Sequence, residues 1–163
     1  MKSIKRALPL VLGSSLLCST AFAHFGMVIP ESNVVEPEKK TIDMSLSFSH
    51  PFEQVGMKLD KPAKFYAVKE GKTEDLLSTL KPTKVMDHES WETSYTFKRP
   101  GVYQFVMEPT PYWEPAEDVF IIHYTKTIIA AFGHDTGWDE PAGVATEIVP
   151  MLRPFGNYAG NSF

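Results

Sequence analysis

Cysteine occurs once in the 163 residues, at Cys18. It falls in a stretch that reads as a removable leader. Without it the chain has no disulfide to staple the fold and no thiolate to hold a soft metal. Helical periodicity is equally scarce. Only Thr73–Leu80 shows it, with Leu76, Leu77 and Leu80 spaced as the apolar face of a short helix that Pro82 would end. No apolar run after the leader approaches the roughly 20 residues that a membrane-spanning helix needs. The sequence also has no H-E-x-x-H, phosphate loop, G-x-G-x-x-G or nucleophile elbow. No motif names an enzyme, and a non-enzymatic protein is expected. Internal repeats, low-complexity tracts and charge blocks are missing as well.

What is present begins with the leader. Lys2, Lys5 and Arg6 form a positive head, Leu8–Leu17 a mostly apolar run, and Ala21-Phe22-Ala23 an A-x-A cleavage site. Leu17 is bulky where a lipobox ahead of Cys18 needs a small residue. Residues 1–23 are therefore expected to be a signal peptide that exports the protein to the periplasm, with His24 as the first residue of a single mature domain, 24–163. Cleavage removes three basic residues and no acidic one. Lys+Arg then falls from 16 to 13 against 20 Asp+Glu, and the formal charge moves from −4 to −7. Such a balance excludes nucleic acid as a natural partner and suits a cation better.

Thirteen prolines and ten glycines cut the chain into short segments. Thr41–Ser49 alternates, with Ile42, Met44, Leu46 and Phe48 on one face. Lys64–Lys69 sets Phe65, Ala67 and Lys69 against Tyr66 and Val68. Thr93–Phe97 and Val102–Met107 flank Arg99-Pro100-Gly101, a hairpin-like turn signal. Val119–Phe132 reads as one long strand or as two joined at a bend. Short strands separated by Pro/Gly turns predict an all-β, immunoglobulin-like antiparallel sandwich with few short helices, ahead of a small barrel. Glu147–Phe163 carries more apolar and turn residues than a frayed tail would, which predicts docking on the sandwich or continuation into a longer protein.

All five histidines survive cleavage. At a mature N-terminus His24 would offer its α-amine and its imidazole to one ion, a nitrogen pair that suits Cu(II), Ni(II), Co(II) and Zn(II); the plainer reading is a solvated chain end. His50 ends a strand ahead of Pro51, at the rim where loops build sites. Glu53, three residues on, could ligate a metal or orient the imidazole; otherwise His50 is a surface histidine in a turn. His123 sits in the apolar stretch Phe120–Lys126. It is either a core histidine with a hydrogen-bond partner or a third ligand. His88, between Asp87 and Glu89, looks solvated, and His134 is a loop residue. Met44 is in step with its strand's apolar face, while Met27 and Met57 are weaker thioether candidates for Cu(I). Pro111-Tyr112-Trp113-Glu114-Pro115 is either a stacking platform or a corner that closes the sandwich.

Several stretches together resemble a known family: His24-Phe25-Gly26-Met27-Val28-Ile29-Pro30, Phe48-Ser49-His50-Pro51-Phe52-Glu53, Pro111–Asp118, Ile122–Lys126 and Glu147-Ile148-Val149-Pro150. They are similar to periplasmic components of bacterial nickel/cobalt uptake systems, a family long described as a domain of unknown function. The resemblance runs from His24 to the end of the chain. It implies an immunoglobulin-like domain that binds Ni(II) or Co(II) as cargo for membrane-embedded components of an energy-coupling-factor transporter. It points to His24 with its amine, His50 and His123 as ligands, with Glu53 and Glu114 as polar support. Members of that family continue past Gly160-Asn161-Ser162-Phe163, which implies a chain cut short. Beside the nickel/cobalt reading stand a periplasmic copper-binding protein, a copper enzyme with a histidine brace acting on polysaccharide, and a structural module whose histidines are incidental.

Overall fold

The structure, a computed structural model, describes residues 24–115 and 117–157. The expected leader with its expected cleavage point, Cys18 and the terminal Tyr158–Phe163 lie outside the described residues. The described chain is all-β. Its first sheet orders β1 (Phe25–Pro30), β3 (Thr41–His50), β8 (His88–Thr96) and β7 (Lys81–Val85). Beyond Leu46, β4 (Val55–Met57) pairs with β3 where β8 has left it. The second sheet orders β2 (Val34–Val35), β12 (Thr125–Ala131), β9 (Gly101–Glu108), β5 (Lys64–Lys69) and β6 (Lys72–Asp75). A separate hairpin joins β10 (Tyr112–Glu114) to β11 (Val119–Ile121). All pairings are antiparallel except β2 with β12.

The alternation in the sequence sets the inner faces. Ile42, Met44, Leu46 and Phe48 of β3 are buried and join one core with Phe65, Ala67, Phe105, Met107 and Ile129 of the second sheet. At one edge the two sheets are tied by side chains: Thr125 Oγ1 donates to the Gly26 carbonyl at 2.8 Å and Thr127 Oγ1 to that of Val28 at 2.6 Å. Gly26 is needed for this approach. A Cβ there would stand 3.1 Å from Thr125 Oγ1, 3.2 Å from Met107 Cε and 3.4 Å from His123 Cβ.

Two sequence expectations are corrected. Thr73–Leu80 is not a helix: its first half is the edge strand β6, and only Leu77–Thr79 makes a 3-10 turn. Leu76 and Leu80 are buried as the spacing suggested, but pairing of β6 with β5 satisfies the backbone that a helix would otherwise satisfy internally. Arg99-Pro100-Gly101 reverses the chain without making a hairpin, because β8 pairs with β3 and β7 while β9 pairs with β12 and β5. The turn carries the chain from one sheet to the other. The Tyr103 hydroxyl closes that corner by donating to the Arg99 carbonyl at 2.9 Å, the kind of tie found in immunoglobulin sandwiches. Val119–Phe132 resolves into two strands, β11 and β12, broken at Ile122-His123-Tyr124.

The described part of the C-terminal segment docks on the outer face of the second sheet. Phe155 is buried with Val102 and Ala130, against Trp138, and the Gln104 amide donates to the Glu140 carbonyl at 2.8 Å. Lys126 and Glu147 fasten this segment through a 2.6 Å ion pair whose side chains are only 7% and 12% exposed. Glu147 also accepts the amides of Ala142 and Gly143, both at 2.9 Å. Burial alone would push the Glu147 carboxyl up, but the bonds from Lys126 and the two amides outweigh it and hold the group below the usual carboxylate range. A depressed folded-state pKa contributes stability above the unfolded-state value of about 4.3 and loses it as pH falls through the folded value. Glu147→Gln should therefore lower Tm near pH 7, by a free energy of about 1–3 kcal/mol. The gap to the parent should close below about pH 4; thermal unfolding of both proteins between pH 7 and 3 checks this.

Candidate metal centre

Strand register builds the site. β1 and β3 pair Gly26 with Phe48 and Phe25 with Ser49, so the next pair along is His24 with His50. Residues directly opposite on an antiparallel pair share a face, and here that face is the inner one, at the open end of the sandwich. The two imidazoles lie with ring centroids 4.1 Å apart. Each has a carboxylate beside its Nδ1: Glu114 at 3.6 Å from His24, and Glu53 at 3.8 Å from His50. His24 and Glu114 are each only 14% exposed at the side chain, and His50 is buried. Neither histidine is the solvated residue of the plainer readings.

Phe48 lies between this pair and His123. Its ring stacks on His24 at 5.5 Å and tilts against His123 at 5.3 Å, with Tyr112 at 5.2 Å. His123 was expected to find a hydrogen-bond partner if it belonged to the core. Its Nε2 is buried and has none among the described residues, and the ring borders a small cavity of about 50 Å³ beside Gly26, Phe48 and Tyr112. An unsatisfied imidazole nitrogen in such a place needs a ligand, a water or a metal. Burial, and to a lesser extent the charge of His24, hold His123 below the ordinary histidine range. Burial and the nearby His50 do the same for His24 against the opposing pull of Glu114. Both shifts favour the neutral ring, the form that donates to a metal.

The three histidines are not gathered round one point. Among the described residues, no three His, Asp or Glu side chains are close enough to hold one ion as they stand. The structure brings together His24, His50, Glu53 and Glu114, and sets His123 apart across Phe48. Glu114 is the surprise: the sequence suggested support only, yet β10 turns Tyr112 and Glu114 to the same side, toward His24. The other side of that hairpin is exposed, with Trp113 against Phe120 at 4.9 Å. Only Tyr112 of the aromatic corner closes the sandwich. His88 and His134 are exposed and stand apart from this group, while Met44 and Met57 belong to the core.

Fold and site together define an all-β sandwich with a histidine–carboxylate cluster at one end. The family model described as "Domain of unknown function (DUF4198)" matches residues 21–163, and the chain belongs to that family. No curated protein matches the chain.

Proposed function

We infer that this protein is a non-enzymatic, exported carrier that binds Ni(II) or Co(II) as cargo and supplies it to membrane-embedded components of a nickel/cobalt uptake transporter. The observation that carries this reading is the His24–His50 pair, 4.1 Å between ring centroids, with a carboxylate against each ring. Two imidazoles and carboxylate oxygens form a borderline donor set without sulfur, which suits Ni(II) and Co(II). The third donor missing among the side chains is supplied by the α-amine of His24 once the leader is removed. His123 Nε2 is a further donor within the same aromatic group, and its lack of a partner among the described residues supports a role toward the ion.

Calorimetric titration of the mature protein with Ni(II), in competition with Cu(II) and Co(II), tests the reading. His50→Ala should weaken Ni(II) binding roughly a hundredfold or more. An unchanged affinity in that variant would end the assignment. One observation favours copper instead: Tyr112 stands 5.4 Å from the His24 ring, as an aromatic neighbour to a histidine-brace copper would, and nitrogen ligands bind Cu(II) intrinsically more tightly. Peroxide-driven cleavage of a polysaccharide by the copper-loaded protein would decide for that enzyme.

A further inference from the structure

The two ends of the sandwich differ in charge. Glu53 and Glu114 stand beside the histidines. At the opposite end β5 turns into β6 and β8 hands over to β9. There Lys69, Lys72, Lys98 and Arg99 line an open groove of about 590 Å³. Glu70 and Glu74 line it too, which leaves a surplus of two positive charges in a chain whose formal charge is −4.

The acids of the groove are already engaged. Glu70 accepts from Lys69 at 2.8 Å, and Glu74 accepts from the Tyr95 hydroxyl at 2.7 Å. Lys98 and Arg99 are different: neither side chain has an ion pair or hydrogen bond among the described residues. Both are exposed at the corner that the Tyr103 hydroxyl fixes through the Arg99 carbonyl. With its hydroxyl committed, the half-buried Tyr95 offers the groove its ring, while Tyr103 lies buried beneath Lys69. Lys69 Nζ lies 5.6 Å over the Tyr103 ring.

We propose that this groove binds a phosphate ester, its oxyanion held by Lys98 and Arg99 and its organic part resting on Tyr95. The planar guanidinium fork matches two oxygens of one phosphate, and the ammonium beside it adds a point charge. The volume falls within the range of about 300–1,000 Å³ typical of small-molecule sites. An acidic protein gathers two unpartnered cations over an aromatic floor at little benefit to folding, since exposed charges contribute almost nothing there. The eight residues of β9 separate the groove from the histidine end by about 23 Å, so the two sites do not compete. The proposal stands apart from the metal reading.

Two probes carry the test on the mature protein. One is calorimetric titration with inorganic phosphate; the other is flotation with phosphatidylcholine vesicles with and without phosphatidylglycerol. Binding of phosphate shows that the groove holds the oxyanion of a soluble phosphate compound, and binding only to the phosphatidylglycerol vesicles identifies a lipid headgroup. Either result supports the site, provided that Lys98→Glu with Arg99→Glu weakens it roughly tenfold or more and added salt weakens it too. His50→Ala should leave it unchanged. If the double variant unfolds, Lys98→Glu alone is read. Failure of both probes, or equal binding by the charge-reversed protein, overturns the proposal.

Discussion

One extra residue ahead of His24 is expected to weaken Ni(II) binding by roughly a hundredfold or more, about 2.7 kcal/mol. The extension leaves both imidazoles and both carboxylates in place, because β1 still pairs with β3 from Phe25 onward. It converts the α-amine into an amide, which is a poor donor unless it loses its proton, and so opens the chelate ring on His24. The pH profile isolates the cause. An α-amine has an ordinary pKa of about 7.7–8.0 and an imidazole of about 6.5, and burial with the neighbouring His50 holds His24 lower still. Protons compete with metal below each donor's pKa. Affinity of the native-ended protein should therefore keep rising through pH 8, whereas that of the extended protein should level off by about pH 7. Equal affinities, with the same profile for both ends, would sink the amine as a ligand and leave the imidazoles as the whole site.

Much of the scaffold was legible in the amino-acid order, and the reasons are local. β3 and β5 announce themselves by alternation because apolar core residues recur on one face of each: Ile42, Met44, Leu46 and Phe48 in one, Phe65 and Ala67 in the other. Local patterns also mislead. Leu76 and Leu80 are buried and Leu77 partly so, at a spacing that mimics a helix, while the pairing partner that makes β6 a strand comes from β5. A Pro-Gly turn reports that the chain reverses and is silent about which strand each arm joins, so the sheet crossing at Arg99–Gly101 was invisible. The site has the same character. His24, His50 and His123 stand out as residue types in telling positions, yet only the β1–β3 register makes the first two neighbours. Phe48 separates the third, and no pattern on one strand foretells that. Glu114 was visible only as support, because three residues of β10 are too few to reveal which side faces inward. The cationic groove was not legible at all, since its four basic residues come from two separate stretches of chain, 69–72 and 98–99.

Phe105→Ala is expected to cost about 3–5 kcal/mol, a large share of a total stability of about 5–15 kcal/mol. Phe105 is fully buried in β9, and its ring meets Tyr95 at 5.1 Å, Phe97 at 6.1 Å and Phe65 at 6.5 Å. Tyr95 and Phe97 come from the end of β8 and the corner, so the ring joins the two sheets where the chain crosses between them. Truncation removes the transfer energy of the ring and leaves a cavity beside Tyr95 and Phe97, which are themselves packed edge to face at 4.9 Å, with Tyr103 edge to face on Phe97 at 4.9 Å. That arrangement cannot collapse into the space without giving up its own contacts, which puts the cost toward the upper part of the range. Thermal unfolding followed by far-ultraviolet circular dichroism should show Tm falling by about 10–25 °C, and Phe105→Leu, which keeps more of the volume, should recover most of it. A fall below about 3 °C would mean that the aromatic group is not what joins the sheets. The histidine pair hangs on the β1–β3 register at the far end, so at temperatures where the Ala variant remains folded its Ni(II) affinity should match the parent's. Saturating metal should then stabilise both proteins by the same free energy, because the gain depends only on the ratio of free metal to Kd.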